Sequence, residues 1–439
     1  MGILAKTALL AALALGVTGT AAAQWTKTYV IDWYEPAHYY GAKEGVIEPG
    51  TDCPKGSNPE PDWVKVLTKA GYTKQEAEWL RDPSHPFRVP NHGQNQMAFR
   101  GENRANVYVN PESTPDPGLT GVSGKIGEGL DLDGNKTNGF SSLTGERGID
   151  NEFYRTLGCW KYLRGPARQA GNSQSRNDEM REGLWTVVVV VSGEGADPMN
   201  DPSVKVGFYN SNDKMVKDGG GTIARRYTFR IAPDAKFEAI LKAKTVNGEI
   251  VSTEPTQEIW LRDPSYAREL QLLQAQLKLK MQDDGSLTGL LAGYRPWQRF
   301  YQGMVEARGS VIEQLFWVEL PGVYRALKRN ADYSPTGPGG EKTHISFALR
   351  IDAIPAYVMT PDAKTQVTSV ESYKAVAPPA GPPLHAFITN KYKITDGIVP
   401  DPRTGKILAG PNVKIPPPAT MTSEASASGY ARSAGGGAP

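Results

Sequence analysis

The sequence predicts a mainly β chain: an antiparallel β-sandwich of jelly-roll or lectin-like type, with a few short peripheral helices and a Pro-rich C-terminal tail. Three observations carry this. Between Gly183 and Val358 short β-branched or aromatic runs alternate with turn signals. Two of those turns, Asn247-Gly248 and "QDDGS" (Gln282–Ser286), have hairpin chemistry. Between them Leu273, Ala275, Leu277, Leu279 and Met281 alternate with Gln274, Gln276, Lys278 and Lys280. That composition would also suit a helix, but a period of two places every apolar side chain on one sheet face.

Taken in order, the chain begins "MGILAKTALLAALALGVTGTAAAQW": one lysine, an apolar run from Ala8 to Val17, then small residues. This is the three-part pattern of a secretory signal peptide over residues 1–23, with the cut between Ala23 and Gln24. The apolar run falls short of the ~20 residues a transmembrane helix needs. The expected product is therefore secreted or periplasmic, with no transmembrane segment. Thr28–Trp33 reads as the first strand, opening a domain over 24–360 on which a loop-rich segment, 24–150, packs. Within that segment "YTKQEAEWLRD" predicts a helix, with Thr73 and Glu76 spaced as a capping box and Pro83 as the stop. A second helix is expected at "GIDNEFYRTLGCWKYL", where Ile149, Phe153 and Leu157 share a face.

Strands follow at "LWTVVVVVSG", "VKVGFYN", "RYTFRIA" and "KFEAILKAKTV". A third helix is predicted at "LPGVYRALKRNADY", with Pro321 in its first turn. In "THISFALRIDAIPAYV" the alternation of Ile345, Phe347, Leu349 and Ile351 predicts a last long strand. Residues 361–439 then turn rich in Pro, Gly, Ser and Ala, the composition of an extended or disordered tail. Within it "HAFITNKYKI" has enough apolar residues to add as a strand to a sheet edge on a partner.

Composition narrows the partners. With 49 basic and 47 acidic residues the formal net charge is +2. Such a balance gives no electrostatic reason to expect nucleic acid. The two cysteines, Cys53 and Cys159, predict a disulfide in an oxidising compartment.

The strongest candidate site is "DLDGNKTNGF". Asp131, Asp133 and Asn135 offer oxygens at alternate positions, and Asp150 and Glu152 follow within two short loops, as a hard cation such as Ca²⁺ requires. It is not an EF-hand, because the glycine and glutamate that loop needs are Lys136 and Ser142 here. The plain alternative is a turn whose Asp and Asn side chains bond their own backbone. A weaker acidic loop holds Asp197, Asn200 and Asp201. In "DWYEPAHYY" Asp32, Glu35 and His38 are close in sequence, but on a regular strand Asp32 and Glu35 point to opposite faces. His85 and His92 flank another loop with nothing to draw them together.

A ligand-binding surface is expected at "YRPWQRFYQG", where Tyr294, Trp297 and Tyr301 offer rings and Arg295 and Arg299 offer hydrogen bonds; the competing role is core packing. The chain has no Gly-x-Ser-x-Gly, no His-Glu-x-x-His and no phosphate-binding loop. No catalytic residue is assigned. The resulting expectation is an exported non-enzymatic binding or structural protein of the cell envelope, calcium-stabilised and carbohydrate-binding, with a glycan or another envelope protein as partner. Two alternatives stand beside it: a polysaccharide-active hydrolase or lyase on a β-sandwich, and a subunit of a surface assembly that uses its C-terminal arm.

Overall fold

The structure is a computed structural model that describes residues 25–42, 50–59, 61–81, 107–219, 222–262, 269–306, 319–359, 399–400 and 407–409. Residues 1–23, read above as a signal peptide, His85, His92 and nearly all of the C-terminal tail lie outside the described residues. The elements in order are β1 (Trp25–Pro36), α1 (Trp63–Lys69), α2 (Lys74–Arg81), β2 (Phe140–Ser141), β3 (Arg147–Ile149), α3 (Glu152–Leu157) and α4 (Gly171–Arg181). Then come β4 (Thr186–Gly193), β5 (Val204–Ser211), β6 (Thr228–Arg230), β7 (Ala239–Val246), β8 (Glu249–Ser252), β9 (Thr256–Arg262), β10 (Glu269–Met281) and β11 (Leu287–Pro296). α5 (Trp297–Glu306), α6 (Leu320–Asn330), β12 (His344–Pro355) and β13 (Tyr357–Met359) complete the main body.

The mainly β expectation holds, but the sheet does not split into two facing layers. β1 pairs with β4 and β12, β4 with β5, β5 with β7, β7 with β8, β8 with β10, β10 with β11 and β11 with β12. Every pairing is antiparallel, and the ring closes into an eight-stranded barrel. β10 makes closure possible because it is 13 residues long: one edge carries β11, the other β8 and β9. The register of β10 against β11 shifts between Leu273 and Gln276, with Gln274 at φ 52. Such a bulge increases twist and lets a strand turn a barrel corner.

Alternation sets what lies inside. β7 shows it cleanly: Ala239, Leu241, Ala243 and Thr245 are buried, while Ile240, Lys242, Lys244 and Val246 are exposed. Following the register around the ring, Val189, Val191, Val206, Phe208, Leu241, Leu279, Leu291, Phe347 and Leu349 fill the interior, each at most 1% exposed. Apolar-in and lysine-out is the reverse of a lipid-facing barrel. Among the described residues no helix is long and apolar enough to cross a membrane.

Helices and loops cover part of the ring. The Thr73–Glu76 capping box forms reciprocally: Thr73 N–H donates to Glu76 Oε2 at 2.8 Å and Glu76 N–H to Thr73 Oγ1 at 3.2 Å. α3 is shorter than its sequence suggests. Asn151 caps it, accepting from Tyr154 N–H, and Ile149 belongs to β3. α4 is fastened to β1 by Asn177, which accepts from Tyr34 N–H at 2.9 Å and donates to Tyr34 O at 2.8 Å. The predicted Cys53–Cys159 disulfide is present, with both sulfurs buried. It ties residues 50–58 to the segment after α3.

Candidate metal centre

Three of the five residues read as metal ligands converge. Carboxylate oxygens of Asp131, Asp133 and Asp150 all lie within 4.8 Å of one another. Local chemistry builds this. Asp131 Oδ1 accepts from Gly134 N–H at 2.7 Å and Asp133 Oδ1 from Asn135 N–H at 2.7 Å, folding the loop on its own side chains. Leu130 and Asp150 form an antiparallel bridge that carries Asp150 under the loop. There Asp150 Oδ2 accepts from Leu132 N–H at 2.7 Å and Asp133 N–H at 3.2 Å. Leu130 and Leu132 anchor the whole loop on Ala37, Ala292 and Ala348, on the outer face of the barrel.

The other two residues turn elsewhere. Asn135 Oδ1 accepts from Thr137 N–H and Oγ1, at 3.0 and 2.7 Å. Glu152 pairs with Arg155 at 2.8 Å. Asp131 also pairs with Lys136 Nζ at 2.5 Å, and Asn138 donates to Asp133 Oδ2 at 2.8 Å.

Burial dominates the electrostatics. Asp150 is 6% exposed, and desolvation, reinforced by the charges of Asp133 and Asp332, pushes its carboxyl up to about 7 against the pull of two backbone N–H groups. Asp332 is raised to about 6, again mainly by burial, although the Ser346 N–H at 2.7 Å favours its charged form. Asp332 is not legible in the sequence, because the turn after α6 brings it beside Asp150 from 182 positions away (332 − 150). Tyr294 borders the same patch, stacked on Tyr333 at 4.1 Å between ring centroids. Burial raises its phenol, and the charges of Asp150, Asp332 and Asp133 raise it further.

The aromatic cluster read as a ligand surface sits largely inside. Tyr294, Trp297 and Tyr301 are 6%, 3% and 6% exposed. Arg295 is buried with its guanidinium 5.2, 4.9 and 4.6 Å from the ring centroids of Phe153, Phe300 and Phe347. Only Arg299 reaches the surface, over Trp260 at 4.8 Å. α5 explains this, since winding "WQRFYQG" into a helix turns its rings onto α6 and the barrel end. These rings therefore offer no open face for stacking.

Asp32 and Glu35 do share a face, contrary to the regular-strand expectation. The register of β1 against β12 shifts between Ile31 and Trp33, so the extra residue reverses the alternation. Both acids enter an ion network. Glu35 accepts from Arg350 at 2.6 Å and from Arg168 N–H at 3.0 Å, Glu128 accepts from Arg350 at 2.6 Å, and Arg168 donates to Asp352 at 2.6 Å. Asp32 stands 3.9 Å from Arg168, and burial holds its carboxyl above the usual range. His38 is buried, donates to Leu163 O at 3.1 Å, and is lowered to about 4 by desolvation. The network clamps the loop before α4 to the barrel wall. Asp201 in the weaker acidic loop likewise accepts from Trp25 Nε1–H and Gly195 N–H, at 2.8 and 2.7 Å, and so closes that loop.

Comparison with protein-family models, with curated proteins and with solved structures finds no match.

Proposed function

We propose that this chain is an exported, non-enzymatic binding or structural protein of the cell envelope, stabilised by calcium at Asp131, Asp133 and Asp150. The observation that carries the reading is the approach of three carboxylates within 4.8 Å on one anchored loop. Hard oxygen ligands so arranged suit Ca²⁺, with backbone carbonyls and water completing its shell. A buried disulfide suits an oxidising compartment. A glycan is the ligand class of this reading. Because the rings of Tyr294, Trp297 and Tyr301 are turned inward, that ligand is met on the outer surface instead.

The test is thermal unfolding of the full chain in calcium and in chelator. A bound ion raises the midpoint by linkage. Wild type is expected to respond and Asp133→Asn to respond far less. An unchanged wild-type midpoint, with no calcium found by elemental analysis, removes the metal.

A second reading, a polysaccharide-active hydrolase or lyase, draws on Asp150 and Asp332, whose raised carboxyls suit general acids near neutrality. Release of reducing ends or unsaturated sugars from polysaccharide substrates, abolished by Asp332→Asn in a folded chain, would favour it.

A further inference from the structure

The wall formed by β5, β7, β8 and β10 carries five outward lysines on three of its four strands: Lys205 on β5, Lys242 and Lys244 on β7, and Lys278 and Lys280 on β10. Three are tied down. Lys242 pairs with Glu254 at 2.7 Å, Lys278 with Glu146 at 2.6 Å, and Lys280 donates to Asn247 O at 2.5 Å. Lys205 and Lys244 are exposed and have no ion pair among the described residues. Moreover, Lys205 stands directly opposite Lys242 in the β5–β7 register. Like charges at facing positions weaken a strand pair. Edge protection, the usual reason for lysine on a strand, does not apply here, because both edges of β5 and of β7 are paired within the closed ring.

An aromatic side chain adjoins these charges. Tyr209 folds down along β5 on the same outer face, its hydroxyl end over Gly207, where an added Cβ would stand 2.5 Å from the phenol oxygen. Glycine at 207 makes room for that pose. Across the strand pair, Gly207 faces Ile240, which is 50% exposed.

We propose that this wall is the docking surface for a carboxylated polysaccharide lying across β5 and β7. Lys205 and Lys244 meet carboxylates of the chain, Lys242 stays with Glu254 between them, and Tyr209 with Ile240 supports the apolar face of a sugar ring. Lysine is a compact point charge suited to single carboxylates, and neighbouring strands space such charges ~4.8 Å apart across the wall. A protein partner fits less well: stable interfaces need an apolar centre within ~800 Å² per side, and this wall offers only Ile240 and Val246 as exposed large apolar side chains. The inference rests on the reading of the chain as an exported glycan-binding protein. It does not require calcium.

The experiment is titration of the full chain, in chelator, with oligogalacturonate, fully methyl-esterified oligogalacturonate, a single-stranded DNA of matching charge, and vesicles containing phosphatidylglycerol. Expected are binding to oligogalacturonate that weakens as salt rises, and loss of about tenfold on esterification or in K205Q/K244Q. Tyr209→Ala should lose severalfold, with Tyr209→Phe close to wild type. Both lysines are exposed, so an unchanged melting temperature shows that K205Q/K244Q is folded. No binding by wild type, an unchanged K205Q/K244Q, or equal binding to DNA or vesicles overturns the proposal. The calcium-dependent melting shift is read separately, so failure here leaves that result standing. Binding of neutral glycans alone, unaffected by K205Q/K244Q, would overturn this surface while retaining the glycan-binding reading.

Discussion

Asp150→Asn should stabilise the metal-free protein at neutral pH. The asparagine Oδ1 keeps the acceptor for Leu132 N–H and Asp133 N–H, while the charge that burial opposes is removed. In the unfolded chain an aspartate titrates near 4, and in the fold Asp150 titrates at about 7. A carboxyl raised in this way favours the fold fully while protonated, below the unfolded value. That contribution is lost as pH climbs through the folded value. Moving a midpoint from about 4 to about 7 corresponds to about 4 kcal/mol as a ceiling. Asp133 is exposed and the cluster opens to water on that side, so screening reduces the expectation to about 2 kcal/mol. Urea unfolding in chelator at pH 5 and pH 8 provides the measurement. Wild type should lose stability between the two, and the variant should lose less. With calcium present the order reverses: at a hundredfold excess over its dissociation constant the ion adds about 2.7 kcal/mol to wild type, and Asp150→Asn forfeits most of it. A variant no more stable than wild type at pH 8 without metal would refute the burial argument. A variant that keeps the full calcium response would refute the ligand assignment.

Three further outcomes follow from the packing. Asn177→Ala strips the buried Tyr34 N–H and C=O, together with Ser173 O, of a side-chain partner, and should cost about 3 kcal/mol in urea unfolding. Replacing Cys53 and Cys159 by serine opens a link between positions 106 apart and should cost about 4–5 kcal/mol by chain entropy, read as a lower denaturation midpoint. Arg350→Met leaves Glu35 buried beside the barrel without its strongest partner and should cost about 3–5 kcal/mol. Adding Glu35→Gln should recover a good part of that in the same assay.

What the sequence discloses is what neighbouring residues decide among themselves. The Thr73–Glu76 box, the Asn247-Gly248 turn and the β10 alternation each depend on a few consecutive positions; the first two are realised, and the alternation holds from Ala275 to Met281, while the bulge before it leaves Leu273 half-buried and buries Leu272 instead. Asn247 and Gly248 both take positive φ, 50° and 74°, as a tight hairpin between β7 and β8 requires. The disulfide was legible because two cysteines leave one internal pairing. Closure was not, since periodicity says which face a residue takes but not whether β10 will meet both β8 and β11. The bulge at Asp32 was hidden for a related reason. One extra residue in β1 is visible only against its partner β12, yet it decides that Asp32 and Glu35 share a face. α4 escaped notice because "GNSQSRNDEMR" has almost no apolar stripe. It is held by Asn177 and by one fully buried apolar side chain, Met180, rather than by a stripe.

The candidate site shows the same division. Asp131, Asp133 and Asp150 lie within twenty residues of each other, and two local turns with one bridge suffice to gather them. Asp332, Tyr294 and Tyr333 join them only because β11 and β12 are neighbours in the ring. Filling the barrel with valine, leucine and phenylalanine then has a consequence for function. Side chains occupy the space around the axis that a ligand-binding barrel leaves open, as small barrels do when they serve as scaffolds. Chemistry is left to the outer face: the acidic loop seated on Ala37, Ala292 and Ala348, and the lysine wall on β5 and β7. One bears negative charge and the other positive, so a single polyanion is drawn to the lysine wall and repelled from the bare acidic loop. Calcium on that loop would weaken the repulsion. Adding calcium should therefore strengthen oligogalacturonate binding in wild type and not in Asp133→Asn; equal strengthening in both would uncouple the two surfaces.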